Sequence, residues 1–186
     1  NKEMQQALDL TEDSRELDWV FPSFVGELFK GNFRFDLLHP YPAQSLEEKE
    51  IGDEFIERLE LCLKENIDPQ KVDEEQELPE SSLQALKDIG AFGMKISKKY
   101  GGLGLSITNY CRAMERVASW CGSTAVWLSA HQSIGAPQPL KEFGTEEQKQ
   151  KFLPRLAKGA ISAFALTEVE VGSDPAKMQM TAKLSE

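Results

Sequence analysis

Thr167, Glu168, Gly172, Ser173 and Asp174 fall within one eleven-residue stretch, FALTEVEVGSD (164–174). A hydroxyl and a carboxylate lead, and a Gly-Ser-Asp triplet closes it. Backbone of that composition approaches a phosphate or a cofactor ring closely, because glycine has no Cβ and Ser and Asp bond locally. A nucleotide-cofactor wall is the chemistry these residues suit. Turns hold Gly, Ser and Asp for conformational reasons as well. The elements that position the stretch therefore decide its meaning.

Those elements are mostly helices. Phe21, Phe24, Val25, Leu28 and Phe29 suit a short amphipathic helix that Gly31 ends, and prolines 40 and 42 predict an extended segment. Ser45 with Glu48 has capping-box spacing, and Ile51, Phe55, Leu59, Cys62 and Leu63 follow on one face. Asp68-Pro69 and DEEQELPE read as a loop, with Pro79 in the first turn of the next helix. Leu83, Leu86 and Ile89 form that helix's stripe, and Gly90 suits a left-handed cap. Tyr100-Gly-Gly-Leu-Gly104 is a tight loop that lacks the GK[ST] or GxGxxG of a phosphate loop. Ser106 caps a third helix, and a fourth, about 123–133, is apolar on nearly all sides and so expected to be central. Thr145 starts a fifth, and Gly159 ends it.

The period then changes. Ile161–Leu166 is short and apolar, and Met178–Leu184 alternates, so two strands are expected. The domain reading is an extension over 1–44, a helical domain over 45–160 and the start of a β domain over 161–186.

Composition narrows the function. The chain has 186 residues and a net charge of −10. Such a charge repels a polyphosphate backbone, which argues against nucleic acid. Cys62, Cys111 and Cys121 are odd in number and lack CxxC spacing, so buried free thiols are expected. His39 and His131 have no ligand spacing around them, and no metal site is read. The uncharged run Val117–Leu140 carries too many polar residues, prolines and glycines for a membrane span. No apolar signal segment opens the chain, and its start at Asn1 implies residues upstream.

The order of segments is specific. A helical bundle carries LKDIGAFG (86–93) and YGGLG (100–104); TEEQK (145–149) with KFLPRL (151–156) follows, and then FALTE and GSD. This order resembles the acyl-CoA dehydrogenase family over roughly residues 22–186. SFVGELFKG (23–31), HPYP (39–42) and AHQSIG (130–135) resemble its very-long-chain branch.

The resemblance implies a mainly α fold: the N-terminal helical bundle of an acyl-CoA dehydrogenase-like flavoprotein, then the first strands of a β domain. It implies FAD as cofactor and α,β-dehydrogenation of an acyl-CoA thioester, with electrons leaving to an electron-transfer flavoprotein. Phe164, Leu166 and Thr167 would face the flavin ring, and Gly172 and Ser173 its pyrophosphate. Ala130, His131, Ser133, Ile134 and Gly135, with Ser173, would line the acyl-CoA site. His131 is expected as a lining or core residue rather than a catalytic one. The family's Trp-x-Thr segment, its catalytic glutamate and its C-terminal bundle would lie beyond Glu186, leaving residues 1–186 inactive by themselves. Val169 stands where the family carries proline, which implies a looser turn. A homo-oligomer is expected for the complete protein, with peripheral membrane association if it is very-long-chain-like. Bacterial cytoplasm and mitochondrial matrix both fit. An acyl-CoA oxidase or monooxygenase on the same scaffold, and a non-catalytic helical binding module, remain as alternatives.

Overall fold

The computed structural model describes residues 22–41, 43–163, 165–181 and 183. The chain divides into two units, one spanning Gln44–Phe164 and the other combining Asn1–Ala43 with Ala165–Glu186.

In the second unit, Ser23 caps α1 (Phe24–Phe29) by accepting from the Gly26 N–H. Gly31 takes a left-handed φ of 84° just past its end. A 3₁₀ turn, Phe35–Leu37, precedes the segment 37–42 expected to be extended and shares Leu37 with it, Leu38 is still αR, and His39-Pro40 is cis. Phe21 and Pro42 lie outside the described residues.

The Gln44–Phe164 unit starts with α2 (Leu46–Asn66). Ser45 Oγ accepts the Glu48 N–H at 3.2 Å. Among the described residues the Glu48 carboxylate makes no return bond, so only half of the capping box forms. Phe55, Leu59, Cys62 and Leu63 are buried as their spacing predicts, but Ile51 is exposed and Gly52 and Ile56 take the inner face. The stretch read as a loop contains α3 (Pro69–Glu75). Asp68 caps it by accepting the N–H groups of Gln70 and Lys71, and Val72 is its buried residue. Pro79 is the N-cap of α4 (Glu80–Asp88) rather than a first-turn residue, and Gly90 follows with a φ of 80°.

A fully buried 3₁₀ turn, Ala91–Gly93, leads into a loop that folds back on itself. The N–H groups of Leu103, Gly104 and Leu105 donate to the carbonyls of Gly93, Ile96 and Met94 at 2.8–2.9 Å. Then come α5 (Ile107–Trp120), capped by Ser106, and α6 (Gly122–Ser129). The helix expected to run on to 133 changes to a π turn, Ala130–Ile134, closed by Gly135 N–H to Ala130 O at 2.7 Å. Two more helices follow, α7 (Pro137–Phe143) and α8 (Glu146–Ala157). Thr145 and Gln148 complete a reciprocal capping box on α8.

The main core joins α2, α4, α5 and α6 around Phe55, Leu59, Leu86, Phe92, Val117 and Leu128. Burying each such side chain contributes about 1.5–3 kcal/mol. A smaller cluster holds α8 through Ile96, Leu153, Leu156 and Ala157. Cys62 and Cys121 are buried free thiols, but Cys111 is exposed on α5. No described helix is long and apolar enough to cross a membrane. Neither expected strand forms among the described residues. A strand closes its hydrogen bonds only on a neighbour, and the described parts of 161–166 and 178–184 find none.

Candidate functional site

The residues read from the sequence fall in both units, and each set has its own geometry. The helical set is centred on the π turn. Inserting one residue into a helical turn shifts the side chains that follow. Here it turns two successive polar residues inward, His131 and Gln132, which are 3% and 1% exposed. Gln132 Nε2 donates to Ala91 O at 2.7 Å, and its Oε1 accepts the Lys95 N–H at 3.0 Å. His131 stands edge-on to Phe92, centroids 5.2 Å apart.

Ser162 Oγ lies 3.3 Å from His131 Nδ1 and accepts the Ala136 N–H. A hydroxyl both donates and accepts, so the Ser162 contact suits either ring tautomer of His131. Nε2 is buried without a hydrogen-bond partner among the described residues. Burial pushes the His131 pKa down, and the carbonyls of Leu156 and Phe92 offset this in part. His131 thus lines the wall as a buried imidazole whose surroundings disfavour the protonated form.

Two apolar grooves flank α6. One, of about 390 Å³, lies among Met114 and Ala118 of α5 and Val126, Ala130 and Ile134. The other, of about 320 Å³, is lined by Phe92, Trp127, His131, Ile161 and Ser162. Val126 and Ala130 line both. The helix expected to be central thus has one packed face, with Thr124, Ala125 and Leu128 buried, and one open face, with Val126 68% and Ile134 59% exposed. Of the lining residues expected, Ala130, His131 and Ile134 border these grooves. Ser133 turns away and places its Oγ 2.9 Å from the Tyr110 hydroxyl. Gly135 is buried, and a Cβ there would meet His131 O and lie 2.8 Å from Ser162 Oγ. Met114, Val126, Trp127 and Ser162 line the grooves as well, beyond the residues expected from the sequence. The all-round apolarity of α6 was the signal available.

The loop set lies in the other unit. Phe164 lies outside the described residues. Leu166, Thr167, Gly172 and Ser173 are exposed. Among the described residues, neither the Leu166 N–H nor the Thr167 hydroxyl has a hydrogen-bond partner. A Cβ on Gly172 would meet nothing within 4 Å. The loop therefore offers unengaged donors and open space, which fits a flavin ring and its phosphates. Glu168 does the bracing. Its carboxylate accepts the N–H groups of Gln179 and Met180 at 2.9 and 2.8 Å. Its backbone exchanges two bonds with Val171, at 3.0 and 3.3 Å, around Val169 and Glu170. Val169 is fully exposed on that turn.

A helix bundle with one open apolar wall, followed by a braced donor-rich loop, is the class these residues define. The chain belongs to the acyl-CoA dehydrogenase family: residues 48–160 match its model for the acyl-CoA dehydrogenase N-terminal domain. It is 46% identical over 178 residues to the probable acyl-CoA dehydrogenase FadE10 of Mycobacterium tuberculosis, covering 96% of this chain and 27% of that protein. It is 40% identical over 162 residues to the human mitochondrial very long-chain specific acyl-CoA dehydrogenase, covering 86% of this chain and 25% of that protein. The chain thus spans about a quarter of the length of these curated relatives. Among solved structures, one described as the electron transferring flavoprotein of Acidaminococcus fermentans aligns with a TM-score of 0.63 and 29% identity, over 74% of this chain and 36% of that one. The prolyl acyl carrier protein oxidase AnaB aligns at 0.60 with 28% identity, over 74% of this chain and 36% of that one.

Proposed function

We propose that this chain supplies the N-terminal helical wall and the first flavin-facing loop of an FAD-dependent acyl-CoA dehydrogenase. The observation that carries this reading is the 46% identity to an acyl-CoA dehydrogenase over nearly the whole chain. The open apolar face of α6 supports it, because an acyl chain gains from burial against Val126, Ala130 and Ile134. In this reading the Leu166 N–H and the Thr167 hydroxyl bond the flavin's pyrimidine side, and Phe164 is assigned to line the ring. Gly172 leaves room for the pyrophosphate, and Ser173 bonds it and borders the acyl-CoA. His131 shapes the wall and transfers no proton.

Bound FAD supplies the two-electron acceptor for α,β-dehydrogenation. Glu168 is not assigned as the proton-abstracting base, since its carboxylate is committed to two backbone donors. An electron-transfer flavoprotein is the proposed electron partner, and a homo-oligomer the proposed state of the complete protein. Bacterial cytoplasm and mitochondrial matrix both suit that role.

Likeness to an acyl carrier protein oxidase favours a second reading, in which dioxygen takes the electrons. One assay separates the two. The complete protein is given saturated acyl-CoAs of graded length with a dye acceptor, and 2-enoyl-CoA is measured. Enoyl product that depends on the dye supports the dehydrogenase. Stoichiometric hydrogen peroxide without it supports the oxidase, and no enoyl product in either arm rejects both.

A further inference from the structure

A cavity of about 550 Å³ lies between α3, the start of α4 and α6, and is larger than either groove beside α6. It shares Trp127 and Ile161 with the second groove, but none of Val126, Ala130 and Ile134, the residues proposed to hold the acyl chain. Its walls are of two kinds. The buried Val72, Leu78 and Leu83 form an apolar floor, and Trp127, which keeps exposed surface, joins them. Asp73, Glu77 and Glu80 bring carboxylates to the same cavity, and no Lys or Arg lines it.

The way α3 ends sets those carboxylates there. Asp73 lies in its last turn, at the negative end of the helix dipole, where a basic side chain stabilises and an acidic one does not. That turn holds no basic residue. Gln76 follows with a left-handed φ of 55°, and the chain reverses so that Glu77 borders the same cavity as Asp73. Glu80 pairs with Lys87 at 3.2 Å. Asp73 and Glu77 have no ion-pair partner among the described residues.

The lining decides which cation these charges suit. Among the described residues, no group of His, Cys, Asp and Glu is arranged to hold a metal ion. The apolar floor offers nothing to replace the water that a small inorganic ion would lose. An indole face attracts organic cations, quaternary ammonium groups above all. A concave site of this size, mostly apolar with a few convergent polar groups, suits a small molecule.

We propose that this cavity binds a small organic cation, an alkylammonium whose charged head meets Asp73 and Glu77 and whose apolar body lies against Trp127, Leu78 and Leu83.

The test is calorimetric titration of the complete protein with hexyltrimethylammonium chloride at fixed ionic strength, and one saturable site is expected. Three competitors take the ligand apart. Tetramethylammonium has the charge without the chain, hexanol the chain without the charge, and hexanoate the chain with the opposite charge. Each should displace the probe at least about tenfold more weakly. Asp73→Asn combined with Glu77→Gln should weaken the probe by about tenfold, and Trp127→Leu by about three- to tenfold. Glu74→Gln removes a charge from α3 outside the cavity and should leave the affinity unchanged. Should Trp127→Leu fail to fold, the double carboxylate variant decides alone, since both its side chains are exposed. Absence of a saturable site, equal displacement by any of the three competitors, or unchanged affinity in the double variant overturns the proposal. So does a loss in Glu74→Gln as large as in the double variant, which would make the effect one of net charge.

Discussion

Gln132 donates to the Ala91 carbonyl at 2.7 Å and accepts the Lys95 N–H at 3.0 Å, so one buried amide ties the π turn to the turn that follows α4. Both backbone groups depend on that side chain. Gln132→Leu keeps the approximate volume but removes both bonds. Leaving buried polar groups unpaired costs about 1–3 kcal/mol each. The variant should therefore lose roughly 2–6 kcal/mol, read from urea denaturation followed by tryptophan fluorescence. A stability within a few tenths of a kcal/mol of wild type would show that water replaces the amide.

Gly52 on α2 lies against Asn109 on α5. A Cβ at Gly52 would collide with the Asn109 amide. That amide cannot swing away freely: Nδ2 donates to Glu48 O at 2.7 Å, and Oδ1 accepts from Gln44 and Arg112, each at 3.0 Å. Gly52→Ala should cost about 1–3 kcal/mol through overpacking. Asn109→Ala on the same background should recover part of the steric loss. Non-additivity in the double mutant, measured by the same denaturation, checks the contact.

Much of this scaffold was legible because its causes are local. Ser45, Ser106 and Thr145 cap helices where a hydroxyl precedes an apolar period, and Gly90 takes the left-handed φ its position requires. Asp68–Glu75 was missed because its charges read as loop, although Asp68 followed by Pro69 is itself a helix start. Ile51 and Ile56 exchanged roles because the close approach of α5 at Gly52 sets which side of α2 faces inward. The π turn depends on contacts from Ala91, Lys95 and Ser162, residues remote in sequence, and no local pattern encodes it. In the candidate site, the family order located the loop and the AHQSIG segment. It could not show that Ser133 faces Tyr110 or that Glu168 braces the loop.

His131 makes stability depend on pH. Its folded-state pKa is lowered, chiefly by burial, from an ordinary value near 6.5. The unfolded chain then binds the proton more readily than the folded one. Stability is complete above about pH 6.5 and falls as the pH drops below it, by up to about 1.4 kcal/mol per pH unit for one proton, until the folded pKa is reached. His131→Gln should flatten that part of the profile. Thermal melts of both proteins between about pH 7.5 and 5 measure it, and parallel profiles would remove His131 as the cause.

Thr167 carries the proposed flavin contact most directly. Its hydroxyl is exposed and unengaged among the described residues, so replacing it disturbs no bond within the loop. In the complete protein, Thr167→Ala should weaken FAD binding by about tenfold, the worth of one hydrogen bond of about 1–1.5 kcal/mol. Folding stability without FAD should stay unchanged. Flavin fluorescence on dilution reads the first quantity and apoprotein melting the second. A drop in both would make Thr167 a structural residue.

Val169 gives the opposite sign. Glu168 O accepts the Val171 N–H across a four-residue turn, which puts Val169 at the second position, where proline is favoured. Val169 is fully exposed, its φ is not positive, and its own N–H makes no described backbone bond. The reciprocal bonds to Val171 and the two donors on the Glu168 carboxylate already hold the turn, so its geometry does not depend on a ring at 169. Proline there removes conformational freedom from the unfolded loop, a gain of about 0.4–1 kcal/mol at a compatible site. If the loop must be ordered to meet FAD, Val169→Pro should tighten FAD binding by about two- to fivefold. The association rate should rise with little change in dissociation, because preorganisation removes an ordering cost before contact. Stopped-flow flavin quenching separates the two rates. An unchanged affinity would mean that the Glu168 brace alone sets the loop, and weaker binding would mean that the turn needs a φ that proline cannot take.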